Sequence, residues 1–104
     1  MADSISLAVL ENLVHLSGQD FPTGYVVIGA VIPEDLEILS LAADAVPREG
    51  GDEWFDSQAS AVLRVSSVVV PGESNFLLNP AHPDFERIVV EPARLFAFDP
   101  RLFA

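Results

Sequence analysis

The chain has 104 residues, enough for one small domain, and is 50% hydrophobic, which excludes a disordered polymer. Sixteen acidic residues against five basic ones leave a net charge of −11, and such a surface repels phosphate backbones and anionic headgroups, arguing against direct nucleic-acid or membrane-surface binding. Cysteine is absent, so disulfides, thiolate metal sites and a cysteine nucleophile are excluded.

The N-terminus reads MADSIS, with no basic region ahead of an apolar one, which argues against a signal peptide. No apolar run reaches the roughly 18–20 residues that a bilayer demands. The expected compartment is the cytoplasm.

Ser4 to Leu16 is predicted to be a helix, capped by Ser4 or Asp3 and stopped by Gly18. Leu7, Val9, Leu10, Leu13 and Val14 cover most of its circumference, the pattern of a buried helix. Ser4, Ala8, Glu11 and His15 fall on one narrow strip, so a carboxylate and an imidazole share a face one turn apart.

Gln19 to Gly24 is expected to be loop. Tyr25 to Ile32 (YVVIGAVI) is a β-branched run between Gly24 and Pro33, expected as one buried strand, with Gly29 marking a close backbone approach. Leu36 to Leu41 reads as a weaker strand. Ala42 to Glu53 contains Pro47 and Gly50-Gly51 and is expected to be loop.

Asp56 is placed to cap a short helix from Ser57 to about Leu63, with Trp54 and Phe55 pinning its start. Val65 to Val70 follows as a strand. Pro71-Gly72 fits a type II turn, with proline presetting φ and glycine taking φ > 0. Asn75 to Leu78 returns as the hairpin partner, Pro83 to Glu86 forms a helical turn, and Arg87–Val90 and Leu95–Phe98 are short strands. The fold class that follows is α+β, a curved, mainly antiparallel sheet with one or two packed helices in a single domain spanning 1–104.

Buried hydroxyls and amides must find partners or cost about 1–3 kcal/mol each. That draws attention to Ser66, Ser67, Asn75 and Asn79 in and around the hairpin. Ser66 and Ser67 face opposite ways on a strand, so one of them can share a site with Glu11. Asn79-Pro80 reads first as turn chemistry, and His82 as a structural loop residue. No GxSxG motif, glycine-rich phosphate loop, HExxH or close histidine pair is present, so a serine hydrolase is disfavoured and no metal is expected.

Taken together, the SLAVLENLVHL helix, the YVVIGAVIP run, EWF, LRVSSVVVPGESNFLLNPAHPDF and the final FAFDPRLF resemble the RES domain, a family named for an Arg, a Glu and a Ser. Glu11 takes the glutamate position. Ser67 takes the serine position, with Ser66 where the family pattern has proline. The arginine position has no counterpart, because none of residues 1–10 is basic, and the chain resembles the C-terminal two-thirds of the domain without its N-terminal part.

The resemblance implies an ADP-ribosyltransferase-like fold and a bacterial toxin of a toxin–antitoxin pair, neutralised by a helix-turn-helix antitoxin. It also implies NAD as substrate, cleaved at the nicotinamide–ribose bond by phosphorolysis, hydrolysis or ADP-ribosyl transfer. On that reading Glu11 and Ser67 are catalytic, and Ser67, Asn75, Asn79 and His15 contact NAD. Without the arginine, NAD should bind weakly and turnover should be slow. The alternative is a non-catalytic module that binds an antitoxin or a second copy of itself.

Overall fold

In the computed structural model, which describes residues 1–15, 23–41 and 47–103, the chain begins at a sheet edge. Ala2 bridges Asn75 antiparallel, and Phe76 N–H donates to the Met1 carbonyl (2.6 Å). The backbone then turns into helix α1 (Ile5–His15), where Ser4 Oγ accepts from Leu7 N–H at 3.1 Å. That is the expected N-cap, satisfying one of the donors a helix start leaves without a partner. The expected stop at Gly18 lies outside the described residues.

The YVVIGAVI segment is two strands rather than one. Strand β1 (Val26–Val27) pairs with β7 (Arg94–Leu95), and β2 (Ala30–Val31) pairs with β6 (Val89–Val90), both antiparallel. The break falls at Ile28-Gly29, where a Cβ on Gly29 would collide with the Glu91 carboxylate. The close approach is therefore as expected, but full burial is not. Val26, Ile28 and Val31 are all exposed, because two-residue ladders leave their outer faces uncovered.

Strand β3 (Ile38–Ser40) lies parallel to β4 (Val62–Ser66), and β4 pairs antiparallel with β5 (Ser74–Leu78), giving a three-stranded sheet of order β3-β4-β5. Helix α2 spans Pro47–Ser57. This corrects two expectations: a loop over Ala42–Glu53, whose residues 42–46 lie outside the description, and a helix from Ser57 to Leu63. Pro47 occupies the first helical position, where its missing N–H costs nothing. Gly50 and Gly51 disfavour a helix intrinsically by about 1 kcal/mol each. They are tolerated because α2 lies close to the sheet: a Cβ on Gly50 would strike Leu41, and one on Gly51 would touch Leu77. The helix ends at Gln58, whose φ of 52° is left-handed. Trp54 and Phe55 therefore lie within the helix rather than ahead of it.

The predicted strand Val65–Val70 is shifted. Pairing ends at Ser66, with one more bond from Ser67 N–H to the Glu73 carbonyl (2.9 Å). The Pro71-Gly72 turn is as expected: Gly72 has φ 89° and Glu73 N–H reaches the Val70 carbonyl at 3.2 Å. The 3-10 turn Pro83–Arg87 starts with His82 Nδ1 accepting from Asp84 N–H, the structural role expected of that histidine. A second 3-10 turn, Pro100–Phe103, follows Asp99, whose carboxyl the Arg101 side chain and backbone N–H hold below its usual range.

Alternation along β4 and β5 gives the sheet two working faces. Val62 and Phe76 point into the main core with Leu36, Ala61 and Ile88, over which Ala30, Ile32 and Phe85 close. Leu63, Ser67, Asn75 and Leu77 belong to the other face, which takes α2 at one end and α1 at the other. The class is α+β and mainly antiparallel, and the sheets are not closed.

Trp54 Nε1–H donates to Ser60 Oγ (2.8 Å), and Ser60 donates on to the Val62 carbonyl (2.7 Å), all buried. Ser60→Ala strips a partner from both, and chemical denaturation should show a loss of about 1–3 kcal/mol with the fold otherwise unchanged.

Candidate active site

The structure brings three of the expected residues together. Glu11 projects from the second turn of α1, half-buried, toward the turn end of the β4–β5 hairpin. Ser67 Oγ donates to its Oε1 at 2.7 Å, and Asn75 Nδ2 donates to the same oxygen at 2.8 Å. Both donors are local consequences of the hairpin. Asn75 sits opposite Val65 in the ladder and is held on its other side by Ala2. Ser67 is the first residue past β4, on the same face as Asn75 by alternation.

Ser67 has its full complement of bonds. Beyond donating to Glu11, its oxygen accepts from Val69 N–H (3.1 Å) and Val70 N–H (3.0 Å). A hydroxyl offers one donor and two lone pairs, and all three are engaged. That arrangement suits positioning and makes a poor nucleophile. The strand expected over Val65–Val70 would have spent those two N–H groups in a ladder. Because the chain leaves the ladder at Ser67, they become part of the site, a contribution that residue types alone do not reveal. Ser66, on the opposite face, is exposed.

Asn79 does not join the cluster. It is 0% exposed at the far end of β5, its backbone N–H bound to the Ala61 carbonyl (2.9 Å). Its Oδ1 accepts from Ala81 N–H (3.0 Å), and its Nδ2 points to the Phe55 carbonyl at 3.5 Å. These are the bonds of a turn, and they tie the hairpin to α2. His15 closes α1, and its side chain is outside the described ones.

Three of the arginines are engaged elsewhere. Arg87 pairs with Asp35 and Arg101 with Asp99, each at 2.6 Å, and Arg64 lies 5.5 Å over the Phe76 ring on the opposite face from Glu11. Among the described residues no group of three or more His, Asp or Glu side chains is arranged to hold a metal ion, and no helix is long and apolar enough to cross a membrane.

The fold and site define a small α+β domain with one helix-borne carboxylate oriented by a hydroxyl and a carboxamide from a single hairpin. The chain belongs to the RES-domain family, whose model matches residues 1–99. It is 35% identical over 117 residues to the Prs ADP-ribosylating toxin of a Sphingobium species, covering 97% of this chain and 71% of that protein. It is also 40% identical to a Toxin Res of Photorhabdus laumondii (98% and 73% covered) and 38% identical to a Toxin Res of Yersinia enterocolitica (98% and 75% covered).

If Ser67 organises the loop as well as Glu11, Ser67→Ala should leave the Val69 and Val70 amides without an acceptor. Hydrogen exchange measured by NMR should then show both amides losing protection, while the amides of β4 keep theirs.

Proposed function

We propose that residues 1–104 form a RES-type domain that cleaves the nicotinamide–ribose bond of NAD, with Glu11 as the charge-stabilising carboxylate and Ser67 and Asn75 as its positioning partners. The observation that carries this reading is the Glu11 carboxylate itself, half-buried and held through Oε1 by two neutral donors. The printed name of the Sphingobium relative, an ADP-ribosylating toxin, supports the choice of substrate.

The bond that breaks joins ribose C1′ to the pyridinium nitrogen. Its electron pair leaves with the ring as neutral nicotinamide, and positive charge develops on the ribose, as in other oxocarbenium-like reactions. A carboxylate about 4 Å from that charge at an effective dielectric near 20 contributes about 4 kcal/mol, on the order of a thousandfold in rate. Ser67 and Asn75 hold the carboxylate so that little reorganisation is needed as the charge forms. The ribosyl cation is then captured by water, phosphate or a protein side chain, giving hydrolysis, phosphorolysis or ADP-ribosyl transfer. The net charge of −11 gives little long-range attraction for an anionic dinucleotide.

Val68 and Leu95, 92% and 89% exposed, favour a second reading in which the domain also binds a partner, a helix-turn-helix antitoxin or another copy of itself. Glu11→Gln separates the two. It keeps an acceptor oxygen for Ser67 and Asn75, so the fold and any partner binding should persist, while nicotinamide release from NAD should fall by about 10²–10³. Release at the wild-type rate in this variant would overturn the catalytic reading.

A further inference from the structure

The β1–β7 and β2–β6 ladders form one ribbon broken by a bulge. Val27 faces Arg94 and Ala30 faces Val90, so Ile28 and Gly29 stand opposite three residues, Glu91, Pro92 and Ala93. The extra residue bends the ribbon, and Pro92 sits at the bend. Each half still turns one side inward. Tyr25, Val27 and Phe96 line the space against α1, while Ala30, Ile32 and Ile88 pack into the main core. The residues that alternate with these point outward. They are Val26, Ile28, Val31, Val89 and Leu95, each at least half exposed. Together they present on the order of 500 Å² of apolar surface, most of the roughly 800 Å² that each partner gives to a standard interface.

Charge decides what fits this strip. Gly24 to Pro33 holds no charged residue, and Ile88 to Phe98 holds one Glu and one Arg, so the ribbon is neutral and the whole net charge of −11 lies elsewhere. Arg94 lies opposite Val27 and shares its inward side, which leaves Glu91 as the one charge on the outer side. A basic partner would be drawn to the acidic surface rather than to this strip. Two copies of the chain repel each other over most of their surfaces, and the strip is where that repulsion is least.

We propose that the outer side of this ribbon is the surface through which two copies of the chain dimerise, about a two-fold axis. One patch then serves both partners, so the contact closes at two. The inner side carries α1 and the core, so both Glu11 clusters stay outside the contact. The proposal commits the partner-binding reading above to a second copy. Of Val68 and Leu95 it uses only Leu95, because Val68 lies beyond β4 and off the ribbon.

Sedimentation equilibrium of the 104-residue chain tests it. A reversible dimer is expected, with a dissociation constant on the order of 10–100 µM, as suits a contact below standard size. Raising the salt from about 10 mM to about 300 mM should tighten it severalfold, because screening cuts the reach of like-charge repulsion from about 30 Å to under about 10 Å. Leu95→Glu and Val89→Glu, at opposite ends of the strip, should each weaken the dimer at least about tenfold. Val68→Glu adds the same charge at an equally exposed position off the strip, and should leave the dimer within about twofold. Circular dichroism checks folding. Should Val89→Glu unfold, Leu95→Glu decides alone, since that side chain is 89% exposed.

A chain still monomeric at about 1 mM would leave the strip to a foreign partner and overturn the proposal. So would a dimer that Val68→Glu weakens as much as Leu95→Glu does, or one that loosens as salt rises. Mass is read without NAD, so none of these results bears on the cleavage reading, which Glu11→Gln tests separately.

Discussion

Two hydrogen bonds onto one oxygen, Glu11 Oε1, join the first helix to a hairpin more than fifty positions away in sequence. Bonds to a charged acceptor contribute about 1.5–3 kcal/mol each, but taking a carboxylate partly out of water costs energy of the same order. The net effect on stability is therefore small, and what the contact supplies is position. It sets where the carboxylate stands relative to the sheet. An apolar side chain at position 11 would offer no acceptor to Ser67 and Asn75.

The hairpin serves stability and chemistry at once. Through one face, Phe76 and Val62 build the main core; through the other, Ser67 and Asn75 hold Glu11, and Asn79 anchors α2 at the opposite end. The Pro71-Gly72 turn fixes the register of the two strands, and a slip by one residue would move Asn75 to the core face and Phe76 to the site. The first three residues of the chain add a further constraint by pairing along β5 at Ala2 and Asn75, so α1 starts from a fixed point on the same element it must reach with Glu11. Core packing and site geometry thus share one set of backbone hydrogen bonds, and a change that loosens the hairpin should affect both.

Charge shapes what the site can accept. With net −11 and the Arg87 and Arg101 side chains paired to nearby carboxylates, the protein surface does little to draw in an anionic ligand. Under the proposed function, selectivity would rest on short-range features, chiefly where the Glu11 carboxylate is held.

Much of this was legible in the amino-acid sequence, because it depends on local rules. The α1 helix with its Ser4 cap, the Pro-Gly turn, the Asn79-Pro80 turn and the roles of Gly29 and His82 all follow from backbone preferences that neighbouring residues decide. The motif order also marked the RES family and placed Glu11 and Ser67 in its frame. Tertiary structure decided the rest. Helix α2 forms through Gly50-Gly51 because packing against Leu41 and Leu77 outweighs an intrinsic penalty that sequence reasoning counts in full. The YVVIGAVI run splits because its two halves pair with different strands from the C-terminal part of the chain. Asn75 meets Glu11 while Asn79, of the same residue type and on the same strand face, is spent on turn bonds; only the distance along β5 separates them. Side-chain chemistry and turn geometry are written into short stretches, whereas which groups meet is settled by contacts between distant segments, and those exist only once the chain has folded.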